Sequence, residues 1–419
     1  MKKNIKIKTV LHLTPNLSGG LGRVLFSTLN FFSTNSTFYN HEIIILEKNY
    51  LKNNPLIEKR FSIFKKKIHV NKSNQFIKNK IIESDIIQLE YWNHPLIYKF
   101  ITQFVMPKSR LIICSHINGF FRPQILNKNV VKFSDYFLCT TKASKKNKLF
   151  KENKYLRKKL KFITFPVDFN RLKKIKKKKH NGFNLTYIGT LDYSKLHNNF
   201  IKISSSIKIP NLNIIVCGTG SDFNLIIKQS LKYNNKRFRF TGFKENIKSI
   251  LEKTDIFGYP LNSHHFGSGE QVLIEAMYSK IPVVAFSNPA EREIIENGVT
   301  GYLAKNDKEY VKIIETLSRK KKLRQKIGNN AHEYVLKNFS PSDNFKKLQN
   351  MYDLIMKNKK KNRLFQSNIF LKNKGNKLQN LGAELFLESL ADNSYEFKTS
   401  FYISNIHIDF FGIMSFIYT

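Results

Sequence analysis

The stretch HFGSGEQVLIEAM combines residue types that can hold an anion beside a polar ring. Ser268 followed by Gln271 matches a helix capping box, which predicts a helix start near Ser268 with Gly269 and Glu270 in its first turn. The unpaired amides of a helix start attract anions, and Gly267 and Gly269 would let a phosphate approach the main chain closely. Alternatively, Glu270 only complements the helix dipole and the glycines only turn the chain, a contribution of about 0.3–1 kcal/mol.

Glu275 lies one turn further along the same predicted helix, inside the apolar run VLIEAM. A carboxylate among apolar neighbours is costly unless a hydrogen-bond donor compensates it. The hydroxyl groups of a ligand would serve as such donors. Glu275 is therefore predicted to contact a ligand.

The segment YIGTLDYSKLH follows a predicted strand, with Gly189 and Thr190 at the carboxyl end and Lys195 opening the next predicted helix. Ligands of open parallel sheets bind at those carboxyl ends. Lys195 is therefore placed to meet the same anion, although one more surface lysine in a lysine-rich chain is the competing interpretation.

Three glycines in LTPNLSGGLGRVL, Gly19, Gly20 and Gly22, stand between the first predicted strand and a helix. They resemble a phosphate-binding turn but match neither the Walker nor the dinucleotide pattern. Either a close approach of main chain to ligand or a tight turn explains them.

His116 ends the apolar run LIICSH, at the carboxyl end of another predicted strand. Its position favours a ligand contact, whereas a lone histidine is as often structural. Glu90, Trp92 and His94 of EYWNHP are candidates to line an acceptor pocket, with ordinary packing as the alternative.

Secondary-structure elements must position these residues. Along the chain, short β-branched runs alternate with longer amphipathic segments, and this alternation is typical of parallel sheets covered by helices. The alternation occurs twice, so the predicted fold class is α/β with two Rossmann-like, doubly wound halves. Strands are predicted at IKTVLHL, HEIIILE, SDIIQLE, RLIICSH and DYFLCTT, and then at FNLTYIG, LNIIVCG, RFRFTG, DIFGYP and IPVVAFS. Helices are predicted after Gly22, Pro95, Pro123 and Lys142, and near Ser194, Asp222, Asn246 and Glu270.

The boundary between the halves is predicted at the lysine-rich segment RLKKIKKKK. Helical periodicity takes over after Asp307, and Ser340 followed by Pro341 predicts a further helix start. The predicted division is a first half at residues 1–165, a basic linker at 166–182, a second half at 183–338, a crossing helix at 339–360 and a tail of unknown role at 361–419.

The composition excludes several classes of protein. A chain of 419 residues exceeds one compact core and fits two domains. The most apolar segment, FYISNIHIDFFGIMSFIYT, is interrupted by His407 and Asp409, and the alternating N-terminus lacks a signal-peptide cleavage site, so a cytoplasmic location is expected. Cys114, Cys139 and Cys217 show neither CxxC spacing nor neighbouring histidine pairs, which argues against disulfides and zinc; no metal is expected.

The formal net charge of +42 admits two explanations. The lysine clusters between Lys142 and Lys179 would attract an anionic membrane leaflet or nucleic acid. Alternatively, an A+T-rich coding sequence would yield abundant lysine on solvated faces. A possible anionic membrane partner follows from the clusters, and nucleic acid is not expected.

Taken in order, four segments resemble those of family-4 glycosyltransferases with the GT-B fold, in which two Rossmann-like domains face each other across a cleft. GGLGRVL resembles the N-terminal glycine loop, GTLDYSK the segment with a phosphate-contacting lysine, EQVLIEAMYSKIPVVAF the donor-site helix and its strand, and AEREIIENGVTGYL the segment after it. The resemblance covers about residues 5–357. It implies a metal-independent, cofactor-free transferase that uses a nucleotide-diphosphate sugar and retains the anomeric configuration.

The resemblance also implies roles for residues of the second half. Lys195 would contact the diphosphate, which a lysine and helix-start amides can stabilise in place of magnesium. Amides near Gln271 and Val272 would hold phosphate oxygens, and Glu275 would bond the ribose hydroxyls. In the first half, Gly19 and Gly20 would face the phosphates and His116 would lie near the transferred sugar.

This sequence departs from the family pattern at two positions. The spacing of the family's paired glutamates would require an acid at Gly267, and the family's phosphate-contacting arginine falls on Thr190. Either Glu270, His264 or His265 supplies the missing sugar contact, or the protein has a different donor preference or weak activity. Lys195, His116 and Glu270 are the candidate catalytic residues.

The sequence therefore predicts a transferase that moves a sugar from a nucleotide-diphosphate donor to a glycan or lipid-linked glycan acceptor. Cell-surface polysaccharide or lipopolysaccharide synthesis is the expected role, with peripheral association at the inner face of the membrane. The alternative is a catalytically weak protein of the same fold that binds anionic membrane or nucleic acid through its basic clusters. An epimerase or phosphorylase of this fold is disfavoured, because the acids or the cofactor lysine that they need are not apparent.

Overall fold

The computed structural model describes residues 7–35, 38–121, 124–165, 167, 169–233 and 235–365. The chain divides into two compact units, the first formed by Met1–Ile163 and Phe345–Thr419 and the second by Thr164–Asn344. The apolar C-terminal segment, and with it most of the predicted tail, lies outside the described residues.

The first unit contains a seven-stranded sheet in which every neighbouring pair is parallel, in the order β3-β2-β1-β4-β5-β6-β7. Apolar strands such as β4 are buried along their whole length, as expected where helices cover both faces of a sheet. The strands are β1 Lys8–Thr14, β2 Tyr39–Ile45, β3 Ile68–Val70, β4 Ile86–Tyr91, β5 Leu111–Ser115, β6 Tyr136–Cys139 and β7 Leu160–Phe162.

The helices of this unit connect the strands. Asparagine and serine caps set several of their starts: the Asn127 side chain, for example, accepts hydrogen bonds from two main-chain amides of α6. The helices are α1 Gly19–Thr34, α2 Tyr50–Asn53, α3 Pro55–Phe61, α4 Asn74–Glu83, α5 Pro95–Gln103, α6 Lys128–Phe133, α7 Lys148–Glu152 and α8 Lys154–Lys159, with 3-10 turns at Ser62–Lys67 and Lys142–Lys146.

The second unit contains a six-stranded parallel sheet in the order β10-β9-β8-β11-β12-β13. In both units the strand order reverses beside the first strand, which creates the crevice where open α/β sheets bind ligands. The strands are β8 Phe183–Ile188, β9 Leu212–Cys217, β10 Phe238–Gly242, β11 Ile256–Tyr259, β12 Val283–Phe286 and β13 Tyr302–Ala304.

The helices of the second unit pack their apolar sides on this sheet and bury one continuous core. They are α9 Phe200–Ser205, α10 Phe223–Leu231, α11 Lys248–Leu251, α12 Gln271–Tyr278, α13 Glu291–Ile294, α14 Asp307–Arg319 and α15 Lys321–Asn338, with 3-10 turns at Phe169–Leu172 and Asn235–Arg237. The last described helix is α16, Pro341–Met356. From Phe345 onward it belongs to the first unit, where the Phe345 ring stacks on Phe31 at 4.0 Å.

The predicted α/β fold class with two Rossmann-like halves is confirmed, and all ten predicted strands form. Three strands of three residues each, β3, β7 and β13, were not predicted. The helix predicted near Ser194 is wrong in position: Tyr193 to Lys195 form a turn, and α9 begins only at Phe200.

The segment 166–182, predicted to be a linker, contributes to the second unit. Phe169 and Leu172 are buried in its core, and the Phe169 ring stacks on Tyr278 at 4.2 Å. These two apolar residues, which precede the lysine run, thus anchor the segment, while the lysines stay at the surface.

Among the described residues, no helix is long and apolar enough to cross a membrane.

Candidate functional site

The loops after β8 and β11 meet at the point where the strand order of the second unit reverses. They are joined by main-chain hydrogen bonds: the Asn262 amide donates to the Lys195 carbonyl at 2.8 Å and the His197 amide to the Pro260 carbonyl at 3.0 Å. The Lys195 side chain is consequently carried by a fixed main chain at the carboxyl end of the sheet.

Lys195 and Glu270 form an ion pair at this edge. The Lys195 ammonium lies 3.0 Å from Oε2 of Glu270, and its side chain is only 16% exposed. The same carboxylate accepts a hydrogen bond from the Tyr259 hydroxyl, and the ammonium also lies 5.9 Å from the centre of the Tyr259 ring. Burial raises the pKa of Glu270, but the charge of Lys195 and the hydrogen bond from Tyr259 lower it more, so that the carboxylate is ionised.

Gly267 leaves room for the Glu270 carboxylate. A Cβ added at Gly267 would lie 1.8 Å from Oε1 of Glu270. Glu270 therefore brings a carboxylate to the space that a side chain at position 267 would enter. An acidic side chain at position 267 would therefore clash with the Glu270 carboxylate in its observed conformation.

The start of α12 differs from the predicted capping box. The helix begins at Gln271, its N-cap is Glu270 rather than Ser268, and no side chain caps it. Ser268 is buried and Gly269 exposed in the preceding bend. Within the described part of the chain, no hydrogen bond reaches the amides of Gln271 and Val272, which leaves two donors at a helix start.

Glu275 is buried and ionically paired with Arg171. The guanidinium donates from Nε, at 3.1 Å, and from Nη2, both to Oε1 of Glu275. The structure thus supplies the donor that the sequence analysis assigned to a ligand. Because both hydrogen bonds end on Oε1, and none to Oε2 occurs among the described residues, Oε2 can accept further hydrogen bonds.

His265 anchors the loop before α12 through two hydrogen bonds of its ring nitrogens. Its Nδ1 accepts from the Gly267 amide at 3.0 Å, so the ring proton is on Nε2, which donates to Oε2 of the fully buried Glu291 at 3.2 Å. A buried histidine–carboxylate pair thereby fixes the main chain under Glu270.

His116 takes part in a buried network at the corresponding edge of the first unit. Its Nε2 lies 2.7 Å from Oε2 of Glu90. His12 Nδ1, also at 2.7 Å, and the side-chain Nε2 of Gln88, at 2.8 Å, share Oε1. Burial raises the pKa of Glu90, but the hydrogen bonds from His116 and His12 lower it more, to about 2. The ionised carboxylate therefore fixes the orientation of the His116 ring.

The network extends inward from Glu90. The Tyr352 hydroxyl of α16 donates to the side-chain Oε1 of Gln88 at 2.9 Å, and His12 Nε2 lies 2.8 Å from Nδ1 of His41. Burial, together with the charges of His12 and Lys67, holds the pKa of His41 well below its usual range, so that His41 is neutral. Glu90 is accordingly internal, not the lining of an acceptor pocket.

Glu90, Cys114 and His116 offer three atoms within 4.8 Å of one another that could hold a metal. Cys114 and His116 are two residues apart in the sequence, and the fold adds the Glu90 carboxylate to them. Burial and the Glu90 charge, however, raise the pKa of the Cys114 thiol well above its usual range. Glu90 and His116 are already hydrogen-bonded to each other, and the Glu90 carboxylate also accepts from His12 and the side chain of Gln88.

The remaining predicted glycines follow strands, at the start of a helix or of a loop. Gly19 and Gly20 begin α1 and are exposed, and Gly19 has a φ of +58° with open space around its Cα. Gly189 follows β8, where a Cβ would approach the Tyr187 hydroxyl at 2.7 Å, and that hydroxyl donates to the Thr190 carbonyl. These positions agree with the predicted strand-to-loop turns.

Residues 168–334 match the family model "Glycosyl transferases group 1". The matched residues lie within the second unit. The putative glycosyltransferase EpsD of Bacillus subtilis (strain 168) is 26% identical over 196 residues, 46% of this chain and 50% of EpsD. The chain thus matches about half the length of that curated relative.

Solved structures of low sequence identity share the fold over most of the chain. Anabaena HepE, solved in complex with UDP and glucose, is 16% identical with a TM-score of 0.67, and the match covers 83% of this chain and 100% of HepE. TarM of S. aureus, solved with fondaparinux, alpha-GlcNAc-glycerol and UDP, is 13% identical with the same TM-score and coverage. The two-unit GT-B fold expected from the resemblance is therefore confirmed.

Proposed function

We propose that the chain is a glycosyltransferase that moves a sugar from a nucleotide-diphosphate donor to a glycan or lipid-linked glycan acceptor, without a metal. The observation that carries the proposal is the Lys195 ammonium held at the strand-order reversal of the second unit, in the same loop cluster as the uncapped start of α12. The group 1 family match and the UDP-bound neighbours support the same conclusion.

The diphosphate is proposed to bind at Lys195 and the amides of Gln271 and Val272. When the sugar bond breaks, negative charge develops on the leaving diphosphate, and preorganised donors that face it lower the barrier. A fixed ammonium and two main-chain amides supply positive potential without a metal ion. Gly189, Thr190, Gly267, Ser268 and Gly269 would border this site.

The ribose is proposed to bind at Glu275. Arg171 occupies Oε1, which leaves the lone pairs of Oε2 to accept from ribose hydroxyls. Glu270 is proposed to replace the acid that the family pattern expects at Gly267, because its carboxylate enters the same space. Its contact would then be with the hydroxyls of the transferred sugar.

For the first unit we propose that Gly19 and Gly20 contact phosphates and that His116, oriented by Glu90, contacts the transferred sugar. Retention of the anomeric configuration and membership of family 4 are proposed from the sequence resemblance alone. A cytoplasmic location, with peripheral binding at the inner membrane face, is proposed from the lysine clusters. Polysaccharide or lipopolysaccharide synthesis is the proposed role, supported by the likeness to EpsD.

A nucleotide-release assay tests the activity. The protein is incubated with single nucleotide sugars, UDP-glucose first, with and without EDTA, and the released nucleoside diphosphate is quantified. Release should persist in EDTA and should fall at least 100-fold in Lys195→Ala, since loss of one preorganised donor costs about that factor. The exposed Lys228→Ala is the matched control and should match the wild type.

Release from no nucleotide sugar in the panel would contradict the proposal. Binding of RNA or of anionic vesicles that weakens steeply with salt, in a protein that releases no nucleotide, would favour the non-catalytic alternative.

A further inference from the structure

The second unit contains a cavity of about 750 Å³ at the edge of the sheet where β11 and β12 begin, opposite the edge that carries Lys195. This volume is in the range of small-molecule sites. Apolar side chains and five lysine or arginine residues line it together. They include Leu172, Ile175, Leu251, Ile281 and Pro282 on the apolar side, and Lys174, Lys177, Lys280, Lys321 and Arg324 among the cations.

The two acids of the cavity already have partners. Asp255 accepts from the Asn184 amide at 2.9 Å and lies 3.4 Å from the ammonium of Lys177. Glu252 pairs with Lys178 at 2.6 Å. The excess positive charge therefore resides on the three exposed lysines that have no acidic partner within the described part of the chain, Lys174, Lys280 and Lys321.

Two of these lysines have a backbone conformation that lysine rarely adopts. Lys174 has a φ of +57° and Lys280 a φ of +58°. Every other non-glycine residue with positive φ in the described part of the chain is an asparagine, the type that tolerates this region. Lysine there costs stability, and such strain concentrates at functional sites.

At Lys280 the main chain adopts a helix-ending conformation that usually selects glycine. Lys280 follows α12 as the left-handed residue of a helix C-terminal motif, in which the Ile281 amide donates to the Ala276 carbonyl at 3.1 Å. Gly328 of α15 packs against this turn, since a Cβ there would lie 2.2 Å from the Lys280 carbonyl. The main chain at Lys280 is thus fixed, and the lysine side chain is presented at the cavity.

Lys321 stands at another unfavourable position. It is the first residue of the 18-residue helix α15, which has no side-chain cap and no acid in its first turn. A positive charge at a helix N-terminus opposes the helix dipole. Three lysines at locally unfavourable positions, contributed by three separate segments, therefore line one cavity.

We propose that this cavity is a second anion site that binds a phosphate ester, with the phosphate at Lys174, Lys280 and Lys321 and the apolar part of the ester against Leu172, Ile175 and Ile281. Phosphate neutralises the lysine charges, and it complements the start of α15. The chemistry fits a soluble phosphate compound or the headgroup of an anionic lipid, and the test separates the two. The site is independent of the proposed donor site.

The test compares two triple variants of the full chain. Lys174→Gln, Lys280→Gln and Lys321→Gln remove the cavity lysines, whereas Lys202→Gln, Lys228→Gln and Lys232→Gln remove three exposed lysines elsewhere in the same unit. Binding is measured by calorimetry with inorganic pyrophosphate and by sedimentation with vesicles of phosphatidylglycerol in phosphatidylcholine.

The variant that lacks the three cavity lysines should bind about tenfold more weakly to whichever of the two probes binds the wild type, since each exposed ion contact contributes a factor of about two to three to the affinity. The control variant should stay within about twofold, and all three proteins are compared in a Lys195→Ala background, so that the proposed diphosphate site does not contribute to the binding measured. Binding to vesicles but not to pyrophosphate would identify the ligand as a lipid headgroup. Binding to pyrophosphate but not to vesicles would identify it as a soluble phosphate compound. Equal losses in both triple variants, or no binding of either probe to the wild type, would overturn the proposal.

A second measurement tests the strain argument. Lys280→Gly should raise Tm by about 2–4 °C while weakening probe binding, because glycine adopts positive φ without cost. An unchanged or lowered Tm would remove the evidence that Lys280 is kept there against stability, and would overturn the proposal.

Discussion

Removing Arg171 should destabilise the second unit through the charge that it leaves behind. Glu275 is 4% exposed at its side chain, and Arg171 provides both of its hydrogen bonds in the described structure. Loss of one partner from a buried pair costs about 3–5 kcal/mol. Because the Arg171 side chain is itself 17% exposed, we expect about 3 kcal/mol for Arg171→Ala.

The reverse change should cost less. In Glu275→Gln the guanidinium keeps access to solvent and to the Glu245 carbonyl, so a loss of about 1–2 kcal/mol is expected. In the double variant no charge is left unpaired, and the two losses should fall short of additivity by about 2 kcal/mol. Arg171→Lys, which keeps the charge, should fall between wild type and Arg171→Ala.

Urea unfolding followed by circular dichroism measures these differences, with the exposed Lys228→Ala as control. The only tryptophan, Trp92, lies in the first unit, so its fluorescence reports that unit separately. The circular dichroism transition of Arg171→Ala should shift while the fluorescence transition stays. Additive losses, or a smaller loss in Arg171→Ala than in Glu275→Gln, would refute the argument that the pair is coupled and buried.

Three further outcomes are expected. The pKa of Glu90 in the folded protein, about 2, lies below its ordinary value of 4.5, so the ionised carboxylate stabilises the fold fully above pH 4.5 and loses this contribution between pH 4.5 and pH 2. Between pH 5 and pH 3, the free energy of urea unfolding should therefore fall by about 2 kcal/mol more in the wild type than in Glu90→Gln. Equal losses in the two proteins would contradict this. Gly267→Ala should displace the Glu270 carboxylate and lower the free energy of unfolding by about 1–3 kcal/mol, which an unchanged thermal transition would disprove. Burial raises the thiol pKa of each cysteine, so a thiol reagent should react in the native protein far more slowly than in urea, and fast native labelling would count against this at Cys114, Cys139 and Cys217.

The sequence predicted the sheets well because their central strands are long apolar runs. It missed β3, β7 and β13, which are three-residue strands at sheet edges and too short to show alternation. It also treated 166–182 as a linker, since lysines hide the two apolar residues, Phe169 and Leu172, that anchor it. Short edge strands and charge-rich anchors depend on tertiary packing that local pattern does not encode.

The site shows the same division. Lys195 was found because it follows a predicted strand, and Glu270 because it stands at a predicted helix start, yet their contact across 75 residues follows only from the fold. Arg171, Tyr259 and Glu291 were missed: Arg171 was counted as one of many cations, and nothing in a single sequence pairs it with Glu275. A carboxylate among apolar neighbours, such as Glu275, needs a hydrogen-bond donor, and this need was the signal that could have prompted a search for a partner in the chain.

Thermal denaturation with nucleotide sugars tests the proposed donor site most directly. UDP-glucose, or another member of the panel, at about 100 times its Kd should add about 2.7 kcal/mol to the wild type and raise Tm by about 5–10 °C. Lys195→Ala should lose most of that shift, and Lys228→Ala should keep it. No shift with any nucleotide sugar, or an undiminished shift in Lys195→Ala, would contradict the assignment of the diphosphate to Lys195.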